Sequence, residues 1–136
     1  PDPLTCTSLI INNLLHDSFA AWAVVGAFGD NLDESALQLA HRLSINEPAT
    51  AQLKETGILL NYNGYGAPLD DLFFAPDELF RKVQPYTDPL LFHAESATLQ
   101  TLREGYRDDM KQAQSFSPIF ENSSGRIFQL PPEPWA

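Results

Sequence analysis

The sequence predicts a mainly α-helical chain, a bundle-like segment of five or six helices that ends in a short β-hairpin. Apolar residues recur at helical spacing through most of the region between residues 7 and 114. Prolines, asparagines and other capping residues divide that region into stretches of helical length. After Ser117 the pattern changes, because two short strand-prone runs flank turn residues at positions 122–125.

Three helices are predicted in the first third of the chain. Thr5 or Thr7 can cap a short helix that runs to about residue 15. Residues 19–29 are apolar almost throughout, and their four alanines favour a buried helix over a buried strand. Asn31 and Glu34 have the spacing of a capping box and therefore predict that a third helix begins there.

Three more helices are predicted beyond residue 45. Pro48 lies in the first turn of the fourth helix, where its missing N–H costs little, and Pro85 ends the fifth. Gly105 lies in the middle of the sixth, where glycine costs about 1 kcal/mol relative to alanine. We therefore expect Gly105 to pack closely against a neighbour. The predicted ranges are 46–60, 76–84 and 88–114.

The hairpin is predicted over residues 118–130, with its turn at residues 122–125. A lone two-stranded hairpin is only marginally stable in water. We therefore expect these strands to pack on the helices, or to belong to a sheet whose other strands lie beyond Ala136.

Composition limits the classes of function. The chain has 136 residues, 43% hydrophobic and 11% aromatic, which suits a packed domain or part of one. Eighteen acids and eight Lys or Arg residues give a net charge of −10, which argues against sequence-independent binding to nucleic-acid phosphates. Residues 19–28 form an apolar run too short to span a bilayer. Cys6 is the only cysteine, so a cytoplasmic location without an intrachain disulfide is expected.

Asp30 is the candidate metal ligand. It stands at the polar end of the apolar run, directly after residues 26–29 (Gly-Ala-Phe-Gly). An apolar segment that ends in one acid is a common way to position a metal ligand or a general base. The alternative is an acid that only caps a neighbouring helix.

Residues 26–30 resemble the lone-aspartate motif of the DHH phosphoesterase superfamily, in which a similar string supplies one ligand to a manganese pair. Residues 5–8 (Thr-Cys-Thr-Ser) resemble the small-residue segment that follows the Asp-His-His motif of that superfamily. Residues 55–66 are similar to a subgroup described as exopolyphosphatase-related. The resemblance implies that Asp30 binds one Mn²⁺ of a pair that activates water for attack at phosphorus.

The resemblance also implies a domain organisation. Residues 1–32 would be the end of a DHH-type catalytic domain, and residues 33–116 a helical connector. Residues 117–136 would be a β-hairpin and the start of a missing C-terminal domain. The partner expected for the intact protein is a phosphorylated small molecule or an oligonucleotide.

The other ligand motifs of the superfamily do not occur in this chain. It contains no His-His pair, and its three histidines, His16, His41 and His93, are scattered. Hard divalent cations need several oxygen or nitrogen ligands that converge on one point. We therefore expect the chain to be a fragment of a phosphoesterase that does not hold Mn²⁺ or turn over a phosphoester alone. Whether the parent protein is an enzyme stays open.

A non-catalytic helical protein-interaction module is the alternative function. This interpretation depends on four aromatic residues that we expect to be exposed. The partner of such a module could be a second copy of the same chain. An acyltransferase is a weaker third idea, because no loop for a coenzyme A pyrophosphate is present. The four aromatic residues are Phe73, Phe74, Tyr86 and Trp135.

Other polar residues have a structural and a functional interpretation. Asp70 with Asp71, and Asp108 with Asp109, are expected to be solvated rather than cation ligands. Cys6 is expected to be a small buried residue rather than a nucleophile. His41 is expected to be half-buried and His93 to lie on the surface of the longest helix. A helix end with packed aromatics, rather than a substrate groove, is expected for Asn61, Tyr62, Asn63 and Tyr65.

Overall fold

The computed structural model describes residues 4–65 and 68–130. These residues form seven α-helices, a short 3-10 turn at Leu69–Asp71 and one β-hairpin, which confirms the predicted mainly α class. The helices are α1 (Thr7–Leu14), α2 (Ala20–Gly29), α3 (Asp33–Arg42), α4 (Glu47–Tyr62), α5 (Pro76–Val83), α6 (Pro89–Glu95) and α7 (Ala97–Ser115). The strands are β1 (Phe120–Asn122) and β2 (Gly125–Ile127).

The longest predicted helix is two helices in the structure, so the described residues contain seven helices instead of five or six. The break is at Ser96, which has extended backbone angles (φ −77°, ψ 115°). The Ser96 hydroxyl accepts a hydrogen bond from the backbone N–H of Leu99 at 3.3 Å. Serine at this position satisfies a free donor of the first turn, so Ser96 both ends α6 and caps α7.

Helix α2 is the centre of the first core cluster, as its apolar sequence predicted. It packs against α1, α3 and α4, and Val24 and Ala27 are completely buried. Gly57 on α4 allows the closest approach, since a Cβ there would lie 2.3 Å from the carbonyl oxygen of Val25. The backbones of α2 and α4 are therefore in direct contact.

A second core cluster joins α4, α6 and α7. It is built from Leu59, Phe92, Leu99 and Leu102, all almost fully buried. Trp22 on α2 packs against both clusters, and its indole N–H donates a hydrogen bond to the carbonyl oxygen of Tyr86 at 3.0 Å. The two clusters are thereby fixed to each other.

Gly105 packs closely against a neighbour, as predicted. A Cβ at Gly105 would lie 2.2 Å from the Phe73 ring, so the loop before α5 lies directly on α7. Asn63 holds the same loop, because its side-chain amide exchanges two hydrogen bonds with the backbone of Phe74 (2.9 and 3.0 Å). These contacts fix the loop beside the C-terminal end of α4.

The hairpin lies on the surface. Its strands are antiparallel, with Phe120 opposite Ile127, and all six strand residues are exposed. Whether it joins a larger sheet, and whether domain boundaries fall at residues 32 and 116, stay predictions. Of the helices in the described ranges, none is both long enough and apolar enough to cross a membrane.

Candidate functional site

Asp30 is exposed at the C-terminal end of α2, directly before the residue that ends this helix. Asn31 has a left-handed backbone (φ 58°), and the N–H of Leu32 donates to the carbonyl oxygen of Ala27 at 2.9 Å. The N–H of Asn31 donates a hydrogen bond to the carbonyl oxygen of Phe28 at 3.1 Å, and the two bonds together form a Schellman motif. Asn31 therefore ends α2 rather than capping α3, and the predicted capping box is not formed.

The structure does not complete a metal site around Asp30. Within residues 4–65 and 68–130, no three His, Cys, Asp or Glu side chains are placed to hold a metal ion together. In the same ranges the Asp30 carboxylate has no hydrogen-bond or ion-pair partner. One carboxylate does not fit a two-manganese centre, which needs several converging ligands. The manganese prediction, which concerns a longer protein, stays a prediction.

A small cavity lies beside Asp30, between the end of α2, the end of α4 and the middle of α7. Its volume is ≈260 Å³. We call it the tyrosine pocket, because three tyrosines line it together with two asparagines and one acid. These six residues are Asn31, Asn61, Tyr62, Tyr65, Tyr106 and Asp109. Two separate sequence signals, the end of α2 and the aromatic end of α4, therefore meet at one cavity.

Hydrogen bonds and ring contacts order the tyrosine pocket. The rings of Tyr62 and Tyr106 are nearly perpendicular, with an interplanar angle of 80° and 5.3 Å between centroids. The Tyr62 hydroxyl donates a hydrogen bond to Oδ2 of Asp109, and the Asn61 amide donates one to the Tyr65 hydroxyl at 2.9 Å. Burial, and then the bond to the Asp109 carboxylate, raise the pKa of Tyr62. This hydroxyl therefore stays protonated near neutral pH.

A second, larger depression also lies between α4 and α7, and it shares Ile58, Tyr106 and Met110 with the tyrosine pocket. Its volume is ≈580 Å³. Four of the eight Lys and Arg residues of the chain line it, and Glu55 is the acid in its described lining. We call it the basic groove. The four basic residues are Lys54, Arg103, Arg107 and Lys111.

A charged cluster at one end of the basic groove ties three helices together. Glu55 on α4 accepts hydrogen bonds from Arg103 Nε on α7 at 2.7 Å, and its other oxygen lies 2.6 Å from His93 Nε2 on α6. The hydrogen bond from Arg103 is the main cause that holds the pKa of Glu55 below its usual value. His93 is only 14% exposed, so the expectation of a surface histidine on the longest helix was wrong.

The remaining candidates divide between structural and surface positions. Asp108 is solvated and pairs with Lys111 at 3.1 Å, but its neighbour Asp109 is partly buried in the tyrosine pocket. His41 is exposed rather than half-buried. Cys6 is half-buried before α1, with its sulfur 3.0 Å from the Ser8 hydroxyl.

The exposed aromatics differ from expectation as well. Phe73 is exposed, whereas Phe74 and Tyr86 are half-buried. Trp135 lies outside the described residues. No function was predicted for Tyr106 and Asp109. The sequence pattern that could have indicated them is a tyrosine and an acid three residues apart, on one side of α7.

Comparison of the chain with protein-family models, with curated proteins and with solved structures returned no significant match. The resemblance to DHH phosphoesterases therefore stays a prediction from the quoted sequence strings.

Proposed function

We propose that these helices form a protein-interaction module whose basic groove binds an acidic, amphipathic segment of a partner protein. The observation that carries this proposal is the charge distribution. A chain of net charge −10 places half of its Lys and Arg residues around one groove. An acidic partner is complementary to that groove, and the excess of acids over bases in the rest of the chain disfavours binding elsewhere.

The shape of the groove supports a helical partner. Apolar side chains, including Ile58, Tyr106 and Met110, line it together with the basic residues, and we call the exposed Arg107 and Lys111 its rim. The lining on α7 extends from Arg103 to Gln114, which corresponds to about 16 Å at the rise of an α-helix. About three turns of an amphipathic helix fit this length, with its apolar residues toward Ile58 and Tyr106 and its acids toward the rim.

Three of the four basic residues are available to such a partner, whereas Arg103 is paired with Glu55 at 2.7 Å. Arg107 is exposed and has no ion pair among the described residues. Lys111 pairs with Asp108 at 3.1 Å and Lys54 with Asp33 at 2.9 Å. The side chains of both pairs are between 44% and 74% exposed. Exposed pairs of this kind contribute about 0–1 kcal/mol, so exchanging them for a partner's carboxylates costs little.

The test is a titration with a designed peptide. The probe is a labelled amphipathic helical peptide of about four turns with leucines on one side and glutamates on the other, and fluorescence anisotropy gives its dissociation constant. A peptide with lysine in place of every glutamate is the control ligand. We expect only the acidic peptide to bind, with an affinity that falls as salt is added.

Matched variants localise the binding. Arg107→Glu together with Lys111→Glu should weaken the acidic peptide by more than tenfold, because two rim charges are reversed. Arg81→Glu on α5 is the control, since Arg81 is exposed outside the groove and, among the described residues, pairs with Asp77 alone. Equal binding of both peptides, or equal loss in both variants, would contradict the proposal.

A second proposal keeps the phosphoesterase interpretation for a longer protein. The observation that favours it is the exposed Asp30 carboxylate, which is free of described partners at the end of a largely buried helix. We propose that Asp30 is one ligand of a manganese pair there, and that the substrate is a phosphorylated small molecule or an oligonucleotide.

The longest polypeptide encoded by the reading frame of this chain tests that second proposal. Mn²⁺-dependent hydrolysis of bis-p-nitrophenyl phosphate should fall at least 100-fold in Asp30→Asn and remain unchanged in the exposed-loop control Asp70→Asn. A reading frame without an upstream Asp-His-His motif, or activity unaffected by Asp30→Asn, would overturn it.

Two partner and location predictions belong with these proposals. We propose a cytoplasmic location because the chain has a single, unpaired cysteine. Self-association is proposed through α1, which exposes Ile10, Ile11 and Leu14. Sedimentation of the wild type and Leu14→Glu tests it, since a dimer held by α1 should dissociate in the variant.

A further inference from the structure

We propose that the tyrosine pocket binds a small organic cation, an alkylated ammonium group. This site adjoins the basic groove, with which it shares Ile58, Tyr106 and Met110, and would serve a different ligand. Three features of the pocket support the proposal: the arrangement of its rings, the charge of its lining and its size.

The rings provide the surface that attracts a cation. Tyr62 and Tyr106 are nearly perpendicular (80°, with 5.3 Å between centroids), and both rings line the cavity. Tyr65 contributes a third ring, whose hydroxyl is held by Asn61 at 2.9 Å. The face of an aromatic ring carries negative potential, and several rings around one space are the usual way to bind a quaternary ammonium group.

The charge of the lining has the matching sign. Asp109 contributes a carboxylate, and among the described residues the lining contains no Lys, Arg or His. One oxygen of Asp109 accepts the hydrogen bond from Tyr62, which fixes the carboxylate next to the ring. The net charge of −10 adds a field that raises the local concentration of cations.

The size and the donor set select an organic cation over a metal ion. At ≈260 Å³, the cavity is smaller than the usual range of about 300–1,000 Å³ for drug-sized ligands. It suits a head group such as trimethylammonium. A metal ion would need several charged oxygen ligands, and Asp109 is the single carboxylate in the described lining.

Choline and 3,3-dimethyl-1-butanol are the probes, because they share a shape and differ in charge. Titration of the ¹⁵N-labelled chain, followed by NMR, gives both the affinity and the location of binding. We expect choline to shift the amide signals of Asn61, Tyr62, Tyr65 and Tyr106 in a saturable way. The neutral alcohol should bind roughly tenfold more weakly, since only the cation is attracted by the ring faces.

Variants separate the ring and charge contributions. Tyr65→Leu should lower the affinity for choline at least threefold. Tyr65→Phe should leave that affinity unchanged, because phenylalanine keeps the ring face. Tyr65 is 58% exposed, so neither change disturbs the core. Asp109→Asn should weaken choline about fivefold, whereas Asp108→Asn, on the neighbouring solvated residue, should leave it unchanged.

Three results would overturn the proposal. Equal affinity for choline and the alcohol would show that charge plays no part. Equal effects of Tyr65→Leu and Tyr65→Phe would exclude the ring face as the cause. Signal shifts outside the pocket, or none up to about 50 mM choline, would exclude this site, because three rings and a carboxylate acting together should bind the cation more tightly than that.

Discussion

The tyrosine pocket and the basic groove lie on opposite sides of one wall, and they have opposite charge. Ile58, Tyr106 and Met110 line both of them. The pocket adds the carboxylate of Asp109, whereas the groove adds four basic residues. A single helix therefore presents an acid on one side and bases on the other.

Helical periodicity explains this separation. Arg103, Arg107 and Lys111 are four residues apart and therefore form one stripe along α7. Asp109 lies two residues from Arg107, which places it on nearly the opposite side of the helix. Formal charge for the whole chain hides this arrangement, so net charge alone predicts neither site.

The largest effect is expected from Gly57→Ala, which would break both regions at once. The new Cβ would lie 2.3 Å from the carbonyl oxygen of Val25, so α4 must move away from α2. Because α4 supplies Glu55 to the groove and Tyr62 to the pocket, both should be disturbed. We expect a loss of about 3 kcal/mol in the free energy of unfolding, measured by urea denaturation.

Gly125→Ala is the control for that change, since a Cβ there meets nothing within 4 Å. It should alter the free energy of unfolding by less than about 1 kcal/mol. If both glycine variants lost equal stability, close packing of α2 on α4 could not be the reason.

A smaller effect, specific to the groove side, is expected from Glu55→Gln. The pKa of Glu55 is lowered, mainly by the hydrogen bond from Arg103, so the folded chain binds this proton less readily than the unfolded chain. The stabilisation is therefore present above the ordinary value of 4.5 and is lost as pH falls through the folded pKa. At pH 7 we expect Glu55→Gln to lower the free energy of unfolding by about 1 kcal/mol, a small value because the carboxylate is partly exposed.

Urea denaturation at pH 7 and pH 3 measures this contribution. The difference between wild type and Glu55→Gln should shrink at pH 3, because that pH is below the ordinary pKa of 4.5, at which the unfolded chain takes up the proton and the stabilisation begins to be lost. Glu78→Gln, in an exposed pair with Lys82 on α5, is the control and should have little effect at either pH. A difference that persists unchanged at pH 3 would exclude charge as its source.

The smallest effect, on the pocket side, is expected from Tyr62→Phe. It removes the hydroxyl that donates to Asp109 and leaves the ring in place. We expect a loss of about 0.5–1 kcal/mol at pH 7, measured by thermal or urea denaturation. Tyr86→Phe is the control, because no described residue accepts a hydrogen bond from the Tyr86 hydroxyl. Equal losses in the two variants would show that the Tyr62–Asp109 hydrogen bond does not contribute to the free energy of unfolding.

Local sequence signals predicted most of the helix boundaries. Asn46 and Asp88 cap α4 and α6 through their side chains, at the positions expected from the residues themselves. Ser96 was missed because apolar residues continue on both sides of it, so helical periodicity masked the break. Asn31 was assigned to the wrong helix end, because asparagine suits both an N-cap and a left-handed residue.

The sites were less predictable than the fold. The end of α2 and the tyrosines of α4 could be singled out from sequence, since each is a local pattern. Their meeting with Asp109 depends on the packing of α4 against α7, which no local pattern specifies. The pairing of His93 with Glu55, 38 residues apart, was hidden for the same reason.

The most direct test of the central claim is a titration of Arg107→Glu with the acidic peptide and, separately, with choline. We predict at least a fivefold loss of peptide affinity and no loss of choline affinity, because Arg107 lines the groove and not the pocket. Unchanged peptide affinity would contradict the claim that the basic groove is an interaction surface.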